Sequence, residues 1–197
     1  MSNYEDNKVP LTRYFWAFIL ASFLMASVFL VSYGISYWNY QIISSSNNEI
    51  FHSLNEIEKI LNTSQCQEDN LYYSSEILDR TGQRLNLLET RFGKNDERVL
   101  SQKKLYSQLE YKHFQLVKLY VEKCSANFVT LLFFYSNDDF LGEESESVGY
   151  ILSTIKKTYS NKAMIYSFDI NLDDEVIDNF KEIYGFVDVP FVIVNKR

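Results

Sequence analysis

The sequence predicts an α/β protein in which a single N-terminal transmembrane helix and an antiparallel helical hairpin precede a small β-α-β-α-β domain. Three observations support this prediction. Residues 14–38 contain no charged side chain. Amphipathic helical patterns lie on both sides of a predicted turn at residues 92–96, which contains Gly93. The two cysteines, Cys66 and Cys124, are equally far from residue 95 in that turn. From residue 125 onwards, short β-prone apolar runs alternate with helical patterns.

Residues 14–38 are long enough to cross a membrane, since about 20 apolar residues in a helix span the hydrocarbon core. Both ends carry the aromatic residues typical of a membrane interface: Tyr14, Trp16, Tyr37 and Trp38. A cleaved signal peptide would have a shorter apolar run that ends in small residues. A buried core helix would need protein partners on every side. We therefore expect an uncleaved signal anchor.

Basic residues predict the orientation of this helix. Lys8 and Arg13 precede the apolar run, whereas the first basic residue after it is Lys59. The positive-inside rule then places residues 1–13 in the cytoplasm and residues 39–197 outside the membrane. On that outer side, Asn62 begins the sequence Asn-Thr-Ser, a possible glycosylation site.

Helical periodicity continues after the membrane segment. Residues 39–65 are predicted to form a helical stem, and residues 66–124 an antiparallel helical hairpin with Gly93 ending its first helix. Asn95 or Asp96 is the expected N-cap of the second helix. The apolar and seam positions recur at helical spacing in all three helices: Ile50, Leu54, Ile57, Ile60 and Leu61; Leu71, Leu78, Leu85, Leu88 and Phe92; Val99, Tyr106, Leu109, His113, Leu116, Val117 and Tyr120.

The cysteines stand where a disulfide would join the open ends of this hairpin. A Cys66–Cys124 bridge closes a long loop, which stabilises the folded state by roughly 3–4 kcal/mol in the chain-entropy model. It also implies an oxidising compartment, in agreement with the predicted topology. The alternatives are two free buried thiols or a catalytic pair, although a catalytic pair would stand closer together in the sequence.

The C-terminal domain, residues 125–197, is predicted to be a β-α-β-α-β unit whose first strand is central and covered on both faces. Residues 138–146 form an acidic loop between that strand and the first helix. The predicted strands and helices are, in chain order, 128–135, 145–159, 163–170, 173–184 and 191–194. The apolar positions of the two helices are Val148, Ile151, Leu152 and Ile155, followed by Val176, Ile177, Phe180 and Ile183.

Charge and composition argue against several classes of function. The net charge is −7, and residues 125–197 hold twelve Asp and Glu against six Lys and Arg. This acidity argues against nucleic-acid binding, which depends on Lys and Arg. His52 and His113 have no Cys or His partner at metal-site spacing, so no zinc site is expected, and His113 is predicted to be a packed residue. The segment from Asp169 resembles the start of a calcium loop, but Asp174 and Phe180 occupy positions that need Gly and Glu.

Two segments of the C-terminal domain resemble the thioredoxin fold. Residues 184–194 resemble the segment in which a helix ends, a loop reaches a cis-proline, here Pro190, and a strand follows. Residues 131–137 resemble the strand that precedes the thioredoxin active-site loop. Over about 70 residues the domain is similar to the thioredoxin-like domains of small membrane-anchored archaeal proteins. We expect a truncated thioredoxin-like domain that lacks the usual final strand and helix.

The resemblance does not extend to redox chemistry. Thioredoxins use a Cys-x-x-Cys pair at the N-terminus of their first helix, whereas residues 138–146 are acidic and contain no cysteine. What the resemblance implies instead is a surface that pairs with extended peptides. Its residues here would be Ser136, Asn137, Val189 and Pro190.

These features favour a non-enzymatic single-pass membrane protein that binds other membrane or extracytoplasmic proteins as an accessory subunit of a membrane assembly. One alternative is a thiol–disulfide oxidoreductase or isomerase that uses Cys66 and Cys124. Another is a peptide-binding chaperone that uses the surface beside Pro190. None of the three requires a cofactor or a metal.

Overall fold

The computed structural model is mixed α/β and mostly helical. It describes residues 11–63, 66–138, 140–159, 162–186 and 188–195, which form five helices and one three-stranded sheet. In chain order the elements are α1 (Leu11–Thr63), α2 (Glu68–Phe92), α3 (Glu97–Lys123), β1 (Val129–Tyr135), α4 (Gly142–Thr158), β2 (Ala163–Asp169), α5 (Glu175–Tyr184) and β3 (Phe191–Asn195). Contacts divide the chain into two compact units, Met1–Ser45 and Ser46–Arg197.

In the N-terminal unit, the apolar side chains of α1 are exposed among the described residues. Phe15, Phe23 and Leu30 are 63%, 71% and 73% exposed. Among the described residues, α1 is the helix long and apolar enough to cross a membrane. The predicted apolar N-terminal helix is therefore confirmed, whereas Lys8, on which its orientation partly depends, lies outside the described residues.

In the second unit, α2 and α3 pack against each other. Gly93, with φ of +97°, follows α2, and Asp96 caps α3 by accepting a hydrogen bond from the N–H of Arg98 at 2.9 Å. Contacting pairs lie progressively farther from this turn on both helices: Phe92 with Arg98, Gly82 with Tyr106, Ser75 with His113, and Gln67 with Tyr120. The predicted leucines Leu71, Leu78, Leu85 and Leu88 are buried.

Cys66 and Cys124 lie at disulfide-bond distance, with their Cα atoms 5.5 Å apart. Cys66 stands just before α2, and Cys124 is the C-cap of α3. The predicted pairing of the two cysteines is therefore confirmed. It joins the start of one helix to the end of the next across 58 residues of sequence.

The sheet has the order β2-β1-β3, with β2 parallel and β3 antiparallel to β1. The five middle residues of β1 are buried, which confirms that it is a central strand covered on both faces. On one face, Leu132 and Phe134 pack in a core with residues of α1, α3 and α5. On the other, Leu131 and Phe133 pack against Leu152 of α4. The peptide bond before Pro190 is cis.

The helices of the C-terminal part differ from the predicted ones in two respects. Helix α4 begins at Gly142, so residues 143–146 form its first turn rather than part of a loop. Acidic side chains are favourable there, because the helix N-terminus carries partial positive charge. The predicted burial of Ile151 and Ile183 is wrong, since these side chains are 62% and 68% exposed. The buried face of each helix is therefore narrower than the sequence pattern predicted. It includes Leu152 in α4 and Phe180 in α5, which are buried as predicted.

Candidate functional site

A cleft of about 850 Å³ opens between α2 and α4 in the second unit. We call it the α2–α4 cleft. Side chains of β1 and β2 line it together with one face of each helix. The principal lining residues are Phe133, Tyr135, Ile165 and Ser167 of the sheet, Asp79, Gln83 and Asn86 of α2, and Glu146, Gly149, Ser153 and Lys156 of α4.

This cleft runs along the sheet from Ile165 in β2 to Ser136 and Asn137, just after β1, and so reaches the carboxyl ends of the two parallel strands. Tyr135 and Asp169 are the last residues of β1 and β2, and they are register partners. Ligands of open α/β sheets commonly bind outside the carboxyl ends of the strands, where loops and helix termini converge. The topology therefore singles out this end of the sheet as the place where chemistry-bearing side chains meet.

A smaller cavity of about 120 Å³ adjoins the cleft, and we call it the inner cavity. The two share lining residues, including Glu89, Tyr106, Glu110 and Tyr135. Helix α3 contributes four of its polar side chains, Lys103, Tyr106, Ser107 and Glu110, because residues three and four apart lie on one helix face. The inner cavity is lined by Gly82, Leu85, Asn86, Glu89, Lys103, Tyr106, Ser107, Glu110, Tyr135, Ser167, Asp169 and Leu172.

Lys103 is buried in this site and makes two ion pairs. Its side chain is 3% exposed, and Nζ lies 2.9 Å from Oε1 of Glu89 and 3.2 Å from Oδ2 of Asp169. The Asp169 carboxylate also accepts hydrogen bonds from Nδ2 of Asn137 at 2.5 Å and from the backbone N–H of Asn171 at 3.1 Å. Such partners are required because desolvation of a buried charge costs several kcal/mol.

Glu110 is also 3% exposed, but only one of its two carboxyl oxygens has a hydrogen-bond partner among the described residues. Its Oε1 accepts a hydrogen bond at 2.9 Å from the backbone N–H of Ser167, which belongs to the edge strand β2. Its Oε2 has no hydrogen-bond partner among the described residues, and neither has Oγ of Ser107. Burial raises the pKa of the Glu110 carboxyl to about 8, against the opposing effects of the Ser167 hydrogen bond and the Lys156 charge.

Two of the predicted site residues, Ser136 and Asn137, line the α2–α4 cleft. Ser136 is 1% exposed, and its Oγ donates to Oδ1 of Asn171 at 2.8 Å. Val189 is 5% exposed and belongs to the main core, whereas Pro190 is half-buried. Ser136 and Asn137 therefore belong to the hydrogen-bond network around Asp169, whereas Val189 lies in the core.

The remaining predicted residues lie elsewhere. His113 is 1% exposed, with Nδ1 2.9 Å from the Tyr166 hydroxyl and Nε2 3.1 Å from Oγ of Ser75, so it is a packed residue as predicted. Burial lowers its pKa to about 4, which keeps the ring neutral at pH 7. Asn62 and Cys66 are exposed. Within the described ranges, no group of three or more His, Cys, Asp or Glu side chains is arranged to hold a metal ion.

The sequence patterns did not identify Lys103, Ser107 or Glu110, because their burial depends on partners far along the chain. A signal for them nevertheless exists. They recur at intervals of four and three residues, which places them on one helix face with the seam residue Tyr106 beside them.

The chain matches no protein-family model, no curated protein and no solved structure.

Proposed function

We propose that this chain is a non-enzymatic, single-pass membrane protein whose extracytoplasmic part binds other proteins, as an accessory subunit of a membrane assembly. The observation that carries the membrane part of the proposal is the exposed apolar surface of α1 in the N-terminal unit. Trp16 and Trp38, near the two ends of the apolar run, are 64% and 66% exposed. Transfer of this surface into lipid is favourable by about 25 cal/mol for each Å² removed from water.

The proposed orientation places the second unit outside the cytoplasm. Arg13 precedes the apolar run, and the first basic residue after it is Lys59, which favours a cytoplasmic N-terminus. The pairing of Cys66 with Cys124 supports the same orientation, because disulfides persist in oxidising compartments. Two independent features thus favour one topology.

We further propose that α2 and α3 form an antiparallel hairpin, and that residues 125–197 form a truncated thioredoxin-like domain without redox activity. The reversed order of contacts between α2 and α3 supports the hairpin. The alternation of β1, α4, β2, α5 and β3 supports the domain. Residues 136–138, after β1, contain no cysteine at which thiol chemistry could begin.

The α2–α4 cleft is the proposed binding surface for a protein partner. Its two walls are joined by exposed ion pairs, Lys94 with Glu146 at 2.6 Å and Lys156 with Asp79 at 2.5 Å. Exposed ion pairs contribute little to stability, since solvent and salt screen them. A partner segment can therefore separate or replace these pairs without disturbing the core of the domain.

Co-purification of the full chain from native membranes tests this function. We expect a membrane protein to accompany it at constant stoichiometry. The cleft variant Gln83→Arg should lose that partner, whereas Gln115→Arg, at an exposed position on α3 that is not among the cleft-lining residues, should keep it. Recovery of the wild-type chain only as an isolated monomer would refute the proposal.

An oxidoreductase that uses Cys66 and Cys124 is the second candidate, and the exposure of Cys66 favours it. This function predicts a bridge that opens in mild reductant and activity in insulin reduction. A bridge that resists mild reductant in the folded chain would eliminate it, because exchange needs an accessible and labile disulfide.

A further inference from the structure

The inner cavity contains two buried hydrogen-bonding atoms that have no partner among the residues the structure describes. They are Oε2 of Glu110 and Oγ of Ser107, and both side chains are 3% exposed. The two residues lie one turn apart on α3 and line the same cavity. A buried polar atom without a partner costs about 1–3 kcal/mol. The cavity thus presents two hydrogen-bonding atoms for which the described residues supply no partner.

The charges around these atoms are unbalanced. Lys103 is shared between Glu89 and Asp169, so its single positive charge faces two carboxylates. Glu110 has no cation within ion-pair distance among the described residues, because Lys156 pairs with Asp79 instead. When Glu110 is ionised, its carboxylate and those of Glu89 and Asp169 stand against one ammonium, which gives a net charge of −2. A ligand with a positive charge would balance the excess negative charge, and its N–H groups would supply the missing hydrogen bonds.

We propose that the inner cavity binds the guanidinium or ammonium group of an arginine or lysine side chain presented by the partner protein. This assignment rests on the proposed protein-binding function and specifies the chemistry of its site. The N–H groups of the ligand donate to Oε2 of Glu110 and to Oγ of Ser107. A metal ion fits less well, since the carboxylates of Glu89 and Asp169 are already occupied by the Lys103 ammonium.

The α2–α4 cleft provides the route for such a side chain. Tyr106 and Tyr135 line both the cleft and the inner cavity. Aromatic faces attract cations, and the apolar Phe133 and Ile165 of the cleft can cover an aliphatic stem while the charged head reaches the polar end. Arginine and lysine have this combination of apolar stem and cationic head.

Binding is expected to be coupled to the ionisation of Glu110. The charged and titratable groups around it are Lys103 and Tyr106 of α3, Glu89 and Asp79 of α2, Tyr135 of β1, Asp169 and Tyr166 of β2, and Lys156 of α4. Since burial raises the pKa of this carboxyl to about 8, it is largely protonated at pH 7. A bound cation favours the ionised form, so binding releases a proton and tightens as pH rises towards 8.

Titration of the full chain, isotope-labelled in detergent micelles, with N-acetyl-arginine amide tests this site. We expect saturable NMR shifts at Ser107, Glu110 and Ser167. N-acetyl-lysine amide should give the same shifts, while N-acetyl-citrulline amide, the neutral analogue of arginine, should bind at least about tenfold more weakly. Glu110→Gln should weaken arginine amide binding by a similar factor, and Glu122→Gln, at a side chain 58% exposed, should not change it.

Equal binding of the citrulline and arginine compounds, unchanged binding by Glu110→Gln, or no saturable shift would overturn the proposal. If Glu110→Gln fails to fold, a pH titration of the Glu110 carboxyl in the wild-type chain tests the site. Saturating arginine amide should lower its midpoint, and an unmoved midpoint would refute the site. Arginine amide binding without any co-purifying protein would refute the partner but support the cation site. A co-purifying partner without arginine amide binding would overturn the cation site alone.

Discussion

Nζ of Lys103 lies 3.2 Å from Oδ2 of Asp169, and both side chains are only 3% exposed. The pair connects α3 to the carboxyl end of β2, 66 residues apart in the sequence. Oε1 of Glu89, on α2, forms a second ion pair at 2.9 Å from the same ammonium. One buried cation therefore joins three elements of the second unit at the base of the candidate site.

Removal of this cation should destabilise the fold strongly. Lys103→Met would leave Asp169 and Glu89 without their positive partner, and breaking a buried ion pair from one side costs roughly 3–5 kcal/mol. Lys104→Met is the matched control, because Lys104 is 41% exposed and its contact with Asp173 is 3.9 Å long. Urea unfolding of the full chain in micelles measures both. Equal stability of the two variants would contradict the importance of the buried pair.

Stability should depend on pH through two buried groups with opposite effects. Glu110 has its pKa raised from 4.5 to about 8, so the folded state holds a proton that the unfolded state releases, and stability falls as pH rises from about 4.5 to 8. His113 has its pKa lowered from 6.5 to about 4, so stability rises with pH between about 4 and 6.5. The two effects oppose each other up to pH 6.5, and above it Glu110 acts alone.

The unfolding free energy should therefore be nearly level from about pH 4.5 to 6.5 and then fall towards pH 8, by at most about 1.4 kcal/mol per pH unit. Urea midpoints across this range provide the measurement. Glu110→Gln should remove the fall above pH 6.5 and reveal the rise below it. A wild-type stability that increases between pH 6.5 and 8 would show that Glu110 is not the controlling group.

Gly82 leaves room for the side chain of Tyr106 in the cleft. A Cβ atom at Gly82 would lie 2.7 Å from the Tyr106 hydroxyl oxygen. Gly82→Ala should therefore destabilise the chain, even though alanine favours a helix by up to about 1 kcal/mol. Addition of Tyr106→Phe should restore part of the loss. In the control Gly149→Ala, the nearest atom, on Phe133, is 3.9 Å away, so a gain is expected. Equal stabilisation by both alanine variants would contradict the contact.

The Cys66–Cys124 bridge should contribute substantially to stability. Its sequence separation of 58 corresponds to about 4 kcal/mol in the chain-entropy model. The double variant Cys66→Ala/Cys124→Ala should lose this amount in urea unfolding, and reduction of the wild-type chain should cause the same loss. A change below about 1 kcal/mol would indicate that the unfolded chain is already constrained near these residues.

The sequence predicted most elements, because their ends are marked by local chemistry. Gly93 ends α2, Asp96 caps α3, Asp174 caps α5 and Gly185 follows it in a left-handed conformation. These features depend only on neighbouring residues. The continuous apolar run of β1 likewise predicted a strand buried on both faces.

The candidate site could not be predicted in the same way. A lysine and a glutamate on an amphipathic helix normally face solvent. Lys103 and Glu110 are buried because their partners Asp169 and Ser167 reach them across the tertiary fold. Conversely, Ile151 suggested a wider apolar face on α4 than the sheet covers. Both differences arise from packing between distant elements, to which local periodicity is insensitive.

Photo-crosslinking from the α2–α4 cleft in native membranes tests the central proposal most directly. A photo-reactive residue at Gln83 should form one discrete protein adduct, whereas the same residue at the exposed Gln115 should not. Excess N-acetyl-arginine amide should abolish the Gln83 adduct, and N-acetyl-citrulline amide should leave it intact. Absence of an adduct at Gln83, or equal adducts at both positions, would contradict protein binding by this cleft.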